Sequence, residues 1–165
     1  MSIRDFLLSR SVRFEILLHR PAHSATHLAG SVHVPGRSVA KAVLIRAGAG
    51  YALAVLPATH RVDTARLAEV LGVGDVEIAT EPEVEAVFAD CEPGALPPFG
   101  RLYGLTTIVD TSLAAGSEIV FVANTRHEGV RMRFKDYEAI EVPLRARFAT
   151  ATAIKRPREQ RRRAG

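Results

Sequence analysis

Several residue types that would point to a function are scarce in this chain. Its 165 residues contain one cysteine, Cys91, and no tryptophan. A single thiol cannot build an internal disulfide framework, and it supplies only one of the several ligands a thiolate metal site needs. No apolar run reaches the roughly 20 residues that cross a bilayer. Arg4 and Asp5 fall where a signal peptide would carry its apolar stretch. The expectation is a protein of the reducing cytoplasm with no membrane partner. Lysine is rare as well: only Lys41, Lys135 and Lys155 stand among 22 basic residues. Such a bias follows genomic base composition, so arginine abundance alone is not read as RNA binding. It does single out a lysine in mid-domain.

What the chain does have is the composition of one globular domain, with 47% hydrophobic and 24% charged residues. A domain of this length buries roughly 70% of the surface its unfolded chain exposes, and needs no covalent staples. The charge is unevenly placed. Residues 155–165 (KRPREQRRRAG) hold six basic side chains and one acid, whereas the whole chain is only +4, so the body is nearly neutral. With Pro157 and no apolar periodicity, the end of the chain reads as a disordered basic tail. The expected division is a folded domain over 1–150 and the tail over 151–165.

Along the chain, Ile3, Phe6, Leu7 and Leu8 recur at helical spacing and predict an amphipathic helix over 3–10. RFEILLH (13–19), followed by Pro21, predicts a strand, and Ser24 caps a helix over 24–34. SVAKAVLIRA (38–47) and YALAVLP (51–57), separated by Gly48 and Gly50, predict a hairpin of buried strands. Asp63 and Gly72 bracket a helix. VEIAT (76–80) reads as a strand, and Pro82 opens a helix to about Ala89. CEPGALPPFG (91–100) has three prolines and two glycines in ten residues, so it is a structured loop. Strands follow at 106–110, 118–123 and 129–134, with short helices at 111–115 and 135–141. This irregular alternation predicts a single α/β domain of the α+β type, a mixed and mostly antiparallel sheet surrounded by helices, not a doubly wound one.

Few side chains suggest chemistry unaided. His19, His23 and His27 are four apart, but Pro21 separates the first two, and neither an HExxH motif nor a nearby acid completes a zinc set. Gly48 and Gly50 precede no helix, which excludes a phosphate-cradling loop. Cys91 reads as a small buried hydrophobe rather than a nucleophile, and Ser112 and Ser117 lack a G-x-S-x-G elbow. Lys41 interrupts an apolar run and shares a face with Val39 and Val43, so it either snorkels at a strand end or holds an anion. In Gly94–Pro98 (GALPP) the prolines fix the backbone and remove donors. The segment is either a stiff connection or a rigid pocket wall that offers free N–H groups.

Three segments together resemble a known family. HRP at 19–21, VAKAVLIR (39–46) with LAVLPATHRVD (53–63), and above all CEPGALPPFG (91–100) are similar to YbaK/prolyl-tRNA-synthetase-associated editing domains. IVDTSL (108–113) and EIVFVANTRHEGVRMRFKDYEAI (118–140) are similar to that family's C-terminal half, so the likeness spans roughly residues 10–142. It implies a trans-acting aminoacyl-tRNA deacylase that needs no metal or cofactor. By this resemblance Lys41 matches the pocket lysine and Gly94 to Pro98 the Gly-x-x-x-Pro loop, while His127 matches the late pocket histidine. Lys41, Gly94 and His127 are thus the candidate catalytic residues. Ala95, Leu96, Pro97, Pro98, His19 and Asn124 are the candidate substrate contacts. Where the family usually has Ala-Gly, this chain has Ala123-Asn124, which puts the identity of the aminoacyl group in question.

The implied partner is the acceptor end of an aminoacyl-tRNA, with an aminoacyl-tRNA synthetase as a candidate second partner. Two other readings stand beside the deacylase: a non-catalytic tRNA- or protein-binding module, and a hydrolase of a small acylated metabolite. On the first reading, Lys155, Arg156, Arg158, Arg161, Arg162 and Arg163 form the electrostatic handle for tRNA, because the body offers little attraction to a polyanion. Deleting 155–165 is expected to weaken tRNA binding at low salt and flatten the dependence of log K on log salt, by roughly 0.7–0.9 per phosphate no longer neutralised. Binding isotherms at several salt concentrations check this, and identical slopes with and without the tail would assign it to solubility alone.

Overall fold

The computed structural model describes residues 2–18 and 34–152. The expected helix over 24–34, His19, and the basic tail beyond Thr152 fall almost entirely outside these residues. Helix α1 (Ile3–Ser9) is capped by Ser2, whose Oγ accepts the Asp5 N–H, and it buries Ile3, Phe6 and Leu7. Strand β1 (Phe14–Leu18) follows. The hairpin takes the expected form: β2 (Ala40–Ala47) and β3 (Gly50–Pro57) pair antiparallel in unbroken register, with Gly48 left-handed in the turn. After β4 (His60–Val62), Asp63 caps α2 (Thr64–Leu71) and left-handed Gly72 ends it. Then come β5 (Val76–Ile78) and α3 (Glu81–Val87), which has Pro82 in its first turn.

Beyond the 91–100 loop lie β6 (Thr106–Asp110), α4 (Thr111–Ala114), β7 (Glu118–Ala123), β8 (Thr125–Arg133), α5 (Phe134–Glu141), β9 (Leu144–Ala146) and β10 (Ala149–Ala151). The mixed sheet runs β5-β2-β3-β6-β9, antiparallel through β3 and parallel beyond it; β1-β8-β7 form an antiparallel sheet, and β10 pairs with β4. The sequence reading differs from this in two places. Strand β8 begins at Thr125, not 129, because the polar TRHE segment completes a bulged hairpin with β7. The three-residue strands β4, β9 and β10 are too short to show alternation.

The main core lies between the two larger sheets and is built around Phe99. Its ring meets Phe6, Phe121 and Tyr137 edge-on, with centroids 5.6, 5.5 and 5.2 Å away. The other face of the mixed sheet is closed by α2 and the C-terminal strands, through Ile45, Leu56, Leu67, Ile108 and Phe148. Asp110, buried at the end of β6, secures that closure. One carboxylate oxygen accepts the N–H groups of Phe148 and Ala149, both at 2.9 Å, and the other accepts from the N–H and hydroxyl of Ser112.

Burial pushes the Asp110 carboxyl up, but the hydrogen bonds from Ser112, Phe148 and Ala149 outweigh it and hold the group below the usual carboxylate range. A folded-state pKa below the unfolded one adds stability that is present above the unfolded value and lost as pH falls through the folded one. Asp110→Asn is expected to cost about 1.5–3 kcal/mol at neutral pH. Chemical denaturation as a function of pH should show the difference from wild type shrinking below about pH 4. A pH-independent difference would remove the carboxylate charge from the account.

Candidate functional site

The site forms where the two larger sheets part. Val39, just before β2, accepts the Ala58 N–H through its carbonyl at 2.8 Å and makes a parallel bridge to Val120 of β7. Further along β2, strand β5 covers the outer edge only at Ile45–Ala47, with Ala79 N–H donating to the Leu44 carbonyl at 3.0 Å. Between these two attachments the edge of β2 has no partner strand among the described residues. A cavity of about 230 Å³ lies there, lined by Ala40, Lys41 and Ala42 of β2, Val84 of α3, Gly94 and Leu96 of the loop, and Val122 of β7. Three consecutive strand residues line it because it meets the strand edge-on. The volume is below the roughly 300–1,000 Å³ of drug-sized ligand sites, which suits one small group.

The loop facing that edge is fastened at both ends. Glu92 N–H donates to the Asn124 carbonyl at 2.9 Å, and the Glu92 carbonyl accepts the Ala95 N–H at 3.0 Å. At the far end the Pro98 carbonyl accepts the buried Tyr137 hydroxyl at 2.8 Å, and Phe99 is locked in its aromatic cluster. Gly94 sits between at φ +80°, a conformation that disfavours any side chain. Pro97 and Pro98 carry no N–H, and the Ala95 N–H is engaged by the turn. The N–H groups of Gly94 and Leu96 have no acceptor among the described residues. The segment is a clamped wall of the cavity that holds two free donors.

Lys41 is the one charged residue lining the cavity among the described residues. Burial lowers its pKa, and among the described residues it has no carboxylate partner. Ala95, Pro97 and Pro98 lie buried behind the wall. His127 is exposed on β8 and does not line the cavity.

Asn124 has φ +67° in the turn between β7 and β8. Asparagine is one of the few L-residues that tolerate this region, so it keeps a turn that glycine would also allow. Its side chain turns inward: Oδ1 accepts the Ile3 N–H at 2.9 Å and Nδ2 lies 3.5 Å from Cys91 Sγ. Cys91 is half-buried with Sγ 3.3 Å from the Tyr103 hydroxyl, and burial pushes its thiol up, which fits the small-hydrophobe reading. Asp110 caps α4 by accepting the Ser112 N–H, so Ser112 serves the helix start. Sequence reasoning missed Ala40, Ala42, Val84 and Val122 as cavity walls, and Tyr137 as the loop's clamp. Only the small residues flanking Lys41 hinted at a space beside it.

The aminoacyl-tRNA editing domain family matches residues 19–140. The chain is similar to the proline–tRNA ligase of Thiobacillus denitrificans, 32% identical over 98 residues that make up 59% of this chain and 17% of the ligase. With the ligase of Xanthomonas oryzae pv. oryzae it shares 33% over 84 residues, 51% of this chain and 15% of that one. The matched region is therefore less than a fifth of either ligase's length. Among solved structures, the hypothetical protein APE2540 superposes with a TM-score of 0.82 at 16% identity, covering 90% of this chain and 99% of that one. A proposed trans-editing enzyme for prolyl tRNA synthetase superposes with a TM-score of 0.78 at 19% identity, covering 90% and 95%. At such identities the likeness establishes a common fold.

Tyr137→Phe leaves the buried Pro98 carbonyl unpaired, a loss of about 1–3 kcal/mol. Thermal unfolding is expected to fall by roughly 2–4 °C per kcal/mol for a chain of this size, with faster amide exchange at Ala95. An unchanged Tm and exchange rate would show that the aromatic cluster alone holds the loop.

Proposed function

Because the chain belongs to the aminoacyl-tRNA editing domain family, we propose that it is a trans-acting deacylase that hydrolyses the ester of mischarged tRNA, with a small amino acid on a tRNA for proline or a related tRNA. The observation that carries this reading is the cavity itself, where Lys41 lines a space of about 230 Å³ together with Gly94 and Leu96, whose N–H groups have no acceptor among the described residues.

An aminoacyl ester is already activated, so its hydrolysis needs an oriented water, a stabilised oxyanion and exclusion of the wrong side chain. Water adds to the ester carbonyl, and the oxygen that becomes negative is received by the N–H groups of Gly94 and Leu96. The tetrahedral intermediate collapses, the ribose oxygen leaves, and it takes up a proton. The neighbouring ribose hydroxyl can assist that transfer, which explains why a triad is not required. Lys41, whose pKa partial burial lowers, holds a phosphate or the ribose of the terminal adenosine as a point charge. The chemistry calls for no metal. His127, exposed on β8 and outside the described lining, is assigned to contact with the tRNA and not to the reacting ester. Ala42, Val84 and Val122 limit the acyl side chain by clash, which discriminates more sharply than a preference for one methylene.

Incubating the purified protein with a panel of mischarged tRNAs tests the reading. At least one small aminoacyl group (alanyl, seryl, cysteinyl or threonyl) is expected to be released, and EDTA should not abolish release. Lys41→Ala is expected to lower kcat/KM by roughly tenfold to a hundredfold with the fold intact, the value of one charge-assisted contact. Gly94→Ala should impair turnover more than stability. No release from any charged tRNA would assign the domain to binding without catalysis, and unchanged kinetics in a folded Lys41→Ala would show that the lysine merely snorkels.

A further inference from the structure

We infer that the open backbone edge of β2 at Ala42 is the element that recognises the α-ammonium of the substrate's aminoacyl group. The inference rests on the deacylase reading and adds what that reading leaves open, namely how a site with no acid among its described residues accepts a cation.

The geometry follows from the phase of the β2–β3 ladder. Ala58 N–H donates to the Val39 carbonyl, and Lys41 and Val43 stand opposite Leu56 and Ala54. In an antiparallel pair, alternate residues exchange both their hydrogen bonds with the partner while those between them face away. Val39, Lys41 and Val43 therefore bond to β3, and Ala40, Ala42 and Leu44 turn their N–H and C=O groups outward. Leu44 confirms this phase independently, since its carbonyl accepts the Ala79 N–H from β5 on the outer side. Ala42 is two residues back on the same edge, beyond the reach of β5, and it lines the cavity.

An α-aminoacyl ester presents two polar groups on one Cα, an ammonium that only donates and a carbonyl that only accepts. Among the described residues lining the cavity none carries a carboxylate, and the ionisable group there, Lys41, has the same sign as the ammonium. Main-chain carbonyls are the acceptors that remain. They lie on the β2 edge, while the free donors of Gly94 and Leu96 lie on the loop. The cavity thus has a free main-chain acceptor on its strand side, next to the Ala42 N–H, and free donors on its loop side. An aminoacyl ester fits across it in one sense, ammonium to Ala42 and ester oxygen to the loop, which directs the side chain to Val84 and Val122. An ester whose α-nitrogen is acylated, the chemistry of a nascent peptide on tRNA, loses the charge and two of the three donors and is refused.

The test compares alanyl-tRNA with lactyl-tRNA, in which a hydroxyl of nearly equal size replaces the ammonium, and with N-acetylalanyl-tRNA. The corresponding trio serves for whichever amino acid the panel selects. Lactyl-tRNA is expected to be cleaved with kcat/KM about tenfold to a hundredfold lower, the value of a charge-assisted hydrogen bond, and the N-acetyl ester more slowly still. Ala42→Pro removes the outward N–H and sets its ring on the edge without breaking the β2–β3 ladder, since that N–H is not part of it. It is expected to bring alanyl-tRNA cleavage down towards the lactyl rate. Equal rates on alanyl- and lactyl-tRNA would overturn the inference while leaving the deacylase reading in place. Should Ala42→Pro fail to fold, the comparison of esters on the unaltered protein decides alone. Failure of the unaltered protein to cleave any aminoacyl-tRNA would overturn the deacylase reading, and this inference with it.

Discussion

The bridge between Val39 and Val120 is the constraint from which the site follows. It is the one place where the two larger sheets are held edge to edge among the described residues. Because both sheets twist, strands joined at one point must diverge on leaving it. β2 and β7 do so over only a few residues, and the divergence leaves an open strand edge facing a gap. Valines at both positions suit the join: they are wholly buried, and they pack with Ala58, Ala95 and Val122 into a small apolar cluster beneath the cavity. The cavity is therefore not carved by side chains. It is the space two sheets leave when they are joined at one end and spread at the other.

A gap of that kind would collapse or fill with loose chain unless its third wall were stiff. The loop from Cys91 to Gly100 supplies the stiffness, and its two ends are held by different physics. At the start it is tied by main-chain hydrogen bonds to the Asn124 turn, and Asn124 in turn receives the first N–H of α1. At the end it is held by side chains, through the packing of Phe99 and the hydrogen bond that the Tyr137 hydroxyl donates to the Pro98 carbonyl. Beyond Phe99 the buried carboxylate of Glu141 accepts from the Arg101 N–H and the Thr107 hydroxyl, and Thr107 accepts the Gly100 N–H. Burial pushes Glu141 upward in pKa while those donors oppose the push. The donors of Gly94 and Leu96 are fixed because their neighbours on both sides are. That is the preorganisation an oxyanion-binding wall needs, since it removes the cost of reorienting dipoles as charge develops.

Much of the fold was legible in the sequence because its signals are local. Asp63 and Gly72 act as caps through their own side chain or backbone freedom, and the β2–β3 hairpin announces itself by length and by Gly48. What was not legible depends on partners distant in the chain. Strands β4, β9 and β10 exist because β4 and β10 meet each other and β9 meets β6, and three residues carry no period of their own. The start of β8 was hidden because TRHEG is polar and becomes strand only through the bulged register with β7. Within the site, Lys41 and the GALPP loop stood out as an odd charge in an apolar run and a rare cluster of prolines. Ala40, Ala42, Val84 and Val122 could not, since a small apolar residue beside a cavity looks the same in sequence as one inside a core.

This also bears on how such a site persists as side chains change. The groups proposed to meet the reacting ester are backbone N–H groups of a clamped loop and backbone groups of an open strand edge, with one lysine as the exception. Their positions are set by the bridge, the ladder phase and the loop anchors, and many side chains satisfy those requirements. A solved structure that shares only 16% of its residues with this chain keeps the same fold over 90% of it. The turn at Asn124 shows the same tolerance on a smaller scale: a left-handed conformation is required there, and asparagine meets it while adding hydrogen bonds that glycine cannot make. On the proposed function, selectivity for the acyl group then falls to the few side chains that close the cavity. These can vary without disturbing the main-chain positions, so on that proposal the size of the accepted amino acid is free to drift while the reaction stays the same.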